Sequence, residues 1–462
     1  MEVERLLPML PLIVVGLTVI AGMMAIAFSR RHEWTAGIAA AGLALAFCAT
    51  ISIPLAPSRR VTPLLLFDNL AVFYLGLVLA ASLLVVPLAY GYFRKRNDVP
   101  DEFFLLLLMA ALGCGVLVAS SHFASFFLGL EILSVSLYAM AAYSRGVRDS
   151  IEAGIKYLIL AAGSSSFLLF GMALLYAEIG SMDFQSLPET ADPHSVMFLL
   201  GVGLVIVGIG FKLAVVPFHM WTPDVYQGAP APATAFIASV SKGAMFAVLL
   251  RFSALIDVQG RPGLMWVFLL MAVASMTVGN FLALLQDNVK RILAYSSIAN
   301  LGYLLVAFLA SGALASTAAA YYLTAYFAAV LGSFGVIVFM SPENREADAI
   351  EDYRGLFWRN PWVAAAFTVM MLSLAGIPLT AGFIGKFFVL AAAGQSAWWI
   401  LLIAVILNST LGLYYYLRVI LVMGSPVAEP APAAAAPAGK PLAVTLCFLT
   451  AVVVFLGVCP AP

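Results

Sequence analysis

Five ionisable side chains lie deep inside apolar stretches of this chain: Glu131, Lys156, Lys212, Lys242 and Lys386. A charge at the centre of a lipid bilayer costs roughly 2.5–3.5 kcal/mol on insertion scales, so the five together oppose insertion by on the order of 15 kcal/mol. That is as large as the net stability of a typical domain. Such groups persist only if they neutralise, pair, or face a water-filled path. Four lysines against one glutamate cannot all be paired. Some must titrate or be hydrated, which is the chemistry of a proton path. A carboxylate about 7 Å from an ammonium, at an effective dielectric near 20, contributes roughly 2.4 kcal/mol. Movement of Glu131 toward or away from a lysine would therefore switch that lysine between holding and passing a proton.

The surroundings of these residues differ. In Phe211-Lys-Leu-Ala-Val-Val-Pro-Phe-His219, Pro217 has no N–H, so the carbonyl of Leu213 loses its helical partner beside Lys212. Non-helical backbone at membrane depth survives only where it is buried in protein or lines a water cavity. The bland alternative is a packing kink with a snorkelling lysine. Leu374-Ala-Gly-Ile-Pro-Leu-Thr-Ala-Gly-Phe-Ile-Gly-Lys386 repeats the arrangement, with Pro378 freeing the carbonyl of Leu374 and glycines permitting unwinding and close helix approach. Here the alternative is a lysine reaching toward a span end. Lys242 stands between Ser239, Ser241 and Gly243, too central to snorkel easily. Glu131, if structural, would hydrogen-bond Ser134; Lys156, two turns beyond Arg145–Ser150, could be an interfacial anchor. His219 either caps a helix or relays protons, and His122 reads as a solvated end group. Gly201/Gly208 and Gly203/Gly210 repeat at seven residues, a helix-packing pattern.

The elements that must position these groups follow from composition. The chain has 462 residues, 63% apolar and 10% charged, with mean hydropathy +1.05. Soluble proteins carry about 25% charged residues, so this is a polytopic membrane protein. Basic and acidic residues balance at 23 each, so no nucleic acid partner is implied. Cys48, Cys114, Cys447 and Cys459 lack metal-type spacing and read as small reduced thiols, and no haem, iron–sulfur or nucleotide signature is present. MEVERLLPML begins with acids and lacks a cleavage site, so the first span is expected to be retained.

About fourteen spans can be placed, near 7–28, 34–53, 68–92, 102–119, 122–142, 150–177, 195–219, 231–256, 264–285, 291–311, 316–340, 362–394, 397–423 and 441–459. The twelfth is too long for one straight crossing and is expected to break at Gly376-Ile-Pro378. The odd loops hold Arg30, Arg31, Arg94, Lys95, Arg96, Arg145, Arg148, Lys290, Arg291, Arg345, Arg354, Arg359 and Lys440. The even loops hold only Arg59, Arg60, Arg251 and Arg261. That bias places the odd loops in the cytoplasm and both termini outside. Residues Glu343–Asn360 form the longest charged loop, with room for a short amphipathic helix, and Ser425–Pro441 reads as a Pro/Ala linker. The buried-lysine-plus-proline motifs lie five spans apart, an odd offset that an inverted repeat requires.

Four stretches carry a family resemblance: LGLEILSVSLYAMAAY (128–143), FKLAVVPFHMWTPDVYQGAPAPATAFIASVSK (211–242), DNVKRILAYSSIANLGY (287–303) and LSLAGIPLTAGFIGKF (372–387). Through them the whole chain resembles the antiporter-like membrane subunits of proton-pumping NADH:quinone oxidoreductase (complex I), and among these the N-type. The resemblance implies that Glu131 and Lys212 are a pair, Lys242 a connecting lysine, Lys386 the terminal lysine of span twelve, and Lys156 a further lysine of span six. M-type members are expected to have glutamate at the position of Lys386, and L-type members a long lateral helix. Multi-subunit cation/proton antiporters share the span-seven pattern and are the alternative; a scaffold with register-fixing charges is a third reading.

The expected fold is an all-α polytopic membrane protein with two inverted five-helix repeats and broken helices 7 and 12. The expected domains are N-terminal helices in 1–100, repeats in 101–260 and 261–424, and linker plus last helix in 425–462. The resemblance further implies no cofactor in this chain, with flavin, iron–sulfur clusters and quinone in partner subunits. Expected partners are the adjacent K-, M- and J-type subunits, the lateral helix of the L-type subunit, and lipids. The expected location is the bacterial inner membrane.

Overall fold

The computed structural model describes residues 7–53, 59–96, 101–187, 195–310, 312–426 and 439–460. The expected Pro/Ala linker lies mostly in 427–438, outside the described residues, as do residues 1–6 of the N-terminal stretch. Hydrocarbon offers no partner for backbone N–H and C=O groups, so long apolar stretches are satisfied only as helices. The first seven are α1 (Leu10–Phe28), α2 (His32–Ile51), α3 (Asn69–Arg94), α4 (Asp101–Ala119), α5 (Phe123–Ala141), α6 (Arg148–Ile179) and α7 (Val196–Leu213). After a short α8 (Trp221–Gly228) comes α9 (Ala231–Leu255). Then follow α10 (Pro262–Leu284), α11 (Val289–Leu309), α12 (Ala313–Met340), α13 (Pro361–Ala375), α14 (Ala381–Gln395), α15 (Trp399–Gly424) and α16 (Lys440–Val458).

Among the described residues thirteen helices are long and apolar enough to cross a membrane, and the remaining span is divided into α13 and α14. The chain is thus an all-α polytopic membrane protein. The one sheet among the described residues is a hairpin of β1 (Arg59–Thr62) and β2 (Leu65–Phe67). The charged loop 343–360 holds a 3-10 turn (Ile350–Tyr353) and one helical turn (Leu356–Arg359) rather than an amphipathic helix.

Two compact units divide the chain, and they are not consecutive blocks. The first comprises Met1–Val86, Asp98–Leu213 and Val240–Gly260. In it α4 packs on α5 and α6 on α7. Of the spaced glycines on α7, Gly201 and Gly208 face α6: a Cβ there would lie 2.8 Å from Leu175 Cγ and 2.8 Å from Leu168 Cβ respectively. Gly203 faces open space, so only one of the two sequence-predicted glycine rows is seen to pack on α6. At its end α7 stops at Leu213, and Ala214 turns left-handed at φ +59°.

The second unit comprises Pro87–Asn97, Ala214–Ser239 and Arg261–Pro462. Helix α11 is almost wholly buried. The turn 214–220 is anchored by the Val216 N–H, which donates to Ser275 Oγ at 2.9 Å. The other break begins at Gly376, whose φ of +83° closes α13 in the left-handed conformation that favours glycine. Its N–H and that of Ile377 both donate to the Leu372 carbonyl, at 2.9 and 3.0 Å. At Gly382 any side chain is excluded, because a Cβ would stand 1.8 Å from the Ser373 carbonyl oxygen. Helix α14 can therefore restart against the last turn of α13 only with glycine there.

Candidate functional site

In the first unit, Lys212 is the penultimate residue of α7 and is 3% exposed. Its ammonium donates to Ser134 Oγ of α5 at 2.9 Å and to Tyr157 Oη of α6 at 3.1 Å. The Leu213 carbonyl, which the sequence places beside it, is not among these partners. The reason is directional. Helical side chains lean toward the N-terminus of their helix, so Lys212, at the C-terminal end of α7, leans back from the break that follows it. Glu131 is half-buried on α5 and accepts from Ser165 Oγ of α6 at 2.8 Å. Among the described residues no ion pair joins Glu131 to Lys212. Ser134 stands between them, one turn from Glu131 and bonded to Lys212.

Lys242, 0% exposed, opens the α-helical part of α9 that follows a π turn at Ile237–Ser241. Such turns collect at functional sites, and neither residue types nor spacing announced this one. Lys156 makes an i,i+4 pair with Glu152 at 2.8 Å on the more exposed face of α6. His122 caps α5, its Nδ1 accepting from the Ala124 N–H at 3.1 Å.

In the second unit, Lys386 is 6% exposed. Its ammonium donates to the carbonyls of Leu374 (3.1 Å) and Ala375 (2.9 Å) and to Ser409 Oγ (3.1 Å), and it lies 4.8 Å from the centre of the Tyr303 ring. The carbonyl that Pro378 leaves without a helical partner is thus the one the lysine takes up. Lys386 follows its break, so the same lean that carries Lys212 away carries Lys386 onto the broken backbone. Asn300, Tyr322, Tyr326, Ser373, Gly382 and Lys386 help line a small cavity of about 10 Å³, room for roughly one water. Around it runs a network of hydroxyls and amides. Tyr322 donates to Asn300 Oδ1 at 2.6 Å, Ser297 and Tyr326 share a 2.6 Å bond, and Asn280 Nδ2 donates to Tyr303 Oη at 3.2 Å. His219 lies in the turn before α8; its carbonyl accepts from the Thr222 N–H at 3.0 Å. The imidazole Nδ1 is buried and has no partner among the described residues, and α8 has no side-chain cap.

One group was misread from sequence. Lys290 counted as a loop cation, yet it is 1% exposed and pairs with Glu346 at 2.6 Å. It also donates to the carbonyls of Gln227 (2.8 Å) and Ala229 (2.6 Å), while Glu346 accepts from the Ala231 N–H at 3.0 Å. Burial alone would raise the Glu346 carboxyl, but the charge and hydrogen bond of Lys290, with Tyr92 and Arg96 behind them, hold it below its ordinary value. Nearby, burial and then Arg96 push Lys95 down to about 8; it donates to the Phe339 and Ser341 carbonyls at 3.0 and 3.2 Å. An acid in the loop 343–360 facing a basic helix start was the only available signal.

Comparison with known proteins agrees along the chain. Residues 120–412 match the family described as NADH:quinone oxidoreductase/Mrp antiporter, TM. NADH-quinone oxidoreductase subunit N of Ectopseudomonas mendocina (strain ymp) is 48% identical over 428 residues, covering 91% of this chain and 87% of the relative. A chain of respiratory complex I from Thermus thermophilus superposes with a TM-score of 0.84 at 33% identity, covering 97% of each chain. A chain of the Mrp complex from Dietzia sp. DQ12-45-1b gives a TM-score of 0.85 at 20% identity over 99% of this chain and 95% of that one, a likeness of fold alone.

Proposed function

The chain belongs to the NADH:quinone oxidoreductase/Mrp antiporter family of membrane subunits, and from that premise we propose that it moves protons through a buried relay of Glu131, Lys212, Lys242 and Lys386. It is a non-redox membrane subunit of a proton-translocating NADH:quinone oxidoreductase. The observation that carries the relay is the burial of Lys212, Lys242 and Lys386, exposed by 3%, 0% and 6%. Lys212 and Lys386 are held by hydroxyls and carbonyls rather than by carboxylates. Buried ammonium groups held this way can give up a proton without leaving an orphaned anion behind.

In this reading the arrangement with Glu131 on Ser165 is the drawn-apart state of a switchable Glu131–Lys212 pair. Protons pass from Lys212 to Lys242 to Lys386, with half-channels at the two breaks and His219 at the first. Residues 101–260 and 261–424 are the two inverted repeats. Lys156, paired with Glu152, is a further lysine of the relay on span six. Flavin, iron–sulfur clusters and quinone reside in partner subunits. The neighbours are the K-, M- and J-type subunits and the lateral helix of the L-type subunit, in a bacterial inner membrane with both termini periplasmic. Moving one charge against 100 mV takes about 2.3 kcal/mol, a magnitude that one Glu–Lys switch can supply.

The test uses the assembled complex in proteoliposomes. Lys242→Ala and Lys386→Ala should each depress proton uptake while NADH oxidation by an artificial acceptor continues. A normal proton-to-electron ratio in both variants would return these lysines to a structural role. Copurification with flavin and iron–sulfur subunits separates this reading from a free-standing cation/proton antiporter.

A further inference from the structure

A second group of cations gathers at the start of α6. Arg145, Arg148, Glu152 and Lys156 line a cleft of about 470 Å³ together with Ile151 and Ile155. Three cations and one carboxylate leave this lining at +2 (3 − 1). Arg145 and Arg148 are exposed, and among the described residues neither guanidinium has a hydrogen-bond or ion-pair partner. Beside the charged row Arg148, Glu152, Lys156 runs an apolar row at the same four-residue spacing. Its members Ile151, Ile155 and Ile159 are 40%, 51% and 63% exposed. Residues four apart lie one above another on a helix face, so the two rows descend α6 side by side. With 32 residues, α6 is about 48 Å long at 1.5 Å per residue, well beyond the roughly 30 Å hydrocarbon layer. Its ends must reach the headgroup level.

We propose that this cleft binds the phosphodiester headgroup of an anionic phospholipid, with an acyl chain lying along Ile151, Ile155 and Ile159. A guanidinium presents a planar fork of donors matched to phosphate oxygens, and two such forks here have no competing carboxylate of their own. Free inorganic phosphate would satisfy the cations but leave the apolar row without purpose. The lipid satisfies both. Basic pockets at membrane surfaces hold anionic headgroups for the same reason. The two arginines that define the site take no part in the passage from Lys212 to Lys242 to Lys386, and the site does not depend on the direction in which the chain crosses the membrane.

The assembled complex in vesicles is photolysed with tail-diazirine phosphatidylglycerol or tail-diazirine phosphatidylcholine at equal mole fraction, and labelled peptides are mapped. Labelling within 151–159 should favour phosphatidylglycerol. Arg145→Gln with Arg148→Gln should remove that preference, by up to roughly 25-fold if each cation contributes about 1 kcal/mol. The double lysine variant should retain most of it, and copurification of the other subunits checks assembly of both. Equal labelling by the two lipids, or an undiminished preference in the glutamine variant, would overturn the site. Displacement of the label by millimolar inorganic phosphate at matched ionic strength would also overturn the lipid, in favour of a free phosphate ion.

Discussion

Glu131→Gln combined with Lys212→Ala probes the central switch. Ser134 accepts from Lys212 at 2.9 Å and stands one turn from Glu131, where Cβ atoms are about 5–6 Å apart. A carboxylate swung toward Ser134 therefore comes within about 7 Å of the ammonium, a contact contributing roughly 2.4 kcal/mol at an effective dielectric near 20. Lost wholly from the transition state, that corresponds to roughly 60-fold in rate. Each single variant should slow proton uptake by up to that factor, measured by dye quenching in proteoliposomes and normalised to NADH oxidation by an artificial acceptor. The double variant should be little worse than Lys212→Ala alone, since the glutamate then has no ammonium to act on. Ser165→Ala tests the resting position separately. It removes a hydrogen bond to a charged acceptor, worth about 1.5–3 kcal/mol, that holds the carboxylate away. Its pumping should shift only when Lys212 is present. Strict additivity across the first cycle, or a Ser165→Ala effect that persists in the Lys212→Ala background, would refute the switch.

Gly382→Ala should destabilise the complex by about 1–3 kcal/mol or more, because its methyl would stand 1.8 Å from the Ser373 carbonyl; thermal unfolding and subunit yield measure it. The clasp of Lys290 on Glu346 should stay closed from neutral pH down to the ordinary carboxylate value of 4.5 and open only below it. The sign follows from a folded-state value held low: its stabilisation is present above the unfolded value and lost as pH falls through the folded one. Hydrogen exchange in 341–353 reads it, and Glu346→Gln should raise exchange already at pH 7. Cysteines placed in Ser181–Pro193 should react with impermeant reagents from the non-cytoplasmic side; labelling from the cytoplasm would reverse the proposed orientation.

The spans and the break at Gly376–Pro378 were legible because both depend on local chemistry: apolar length, and a proline that removes one hydrogen bond. The partners of the buried lysines were not. Lys212 and Lys386 carry matching motifs, yet only one reaches its broken backbone, because one precedes its break and the other follows it. That distinction lies in the order of residues, but it becomes visible only when the lean of helical side chains is applied. Lys290 was hidden for another reason. Its carboxylate comes from 56 residues later and its carbonyls from the 227–229 turn, and a cation at a helix start has the same local pattern whether anchored in water or buried. The π turn at Ile237–Ser241 left no mark in residue type at all.

The two lysines also differ in what their surroundings can do once a proton has gone. Ser134 and Tyr157 are hydroxyls, donors as well as acceptors; both can rotate to offer a hydrogen to a neutral amine. The Leu374 and Ala375 carbonyls that hold Lys386 can only accept. A neutral amine there keeps two N–H groups for those two carbonyls, and only the Ser409 hydroxyl can turn to offer its lone pair a hydrogen. Lys212 therefore sits in an amphoteric socket that serves either form with a turn of two O–H bonds. Lys386 sits in a narrower socket of fixed backbone acceptors, where the turn of a single hydroxyl, Ser409, serves the neutral form.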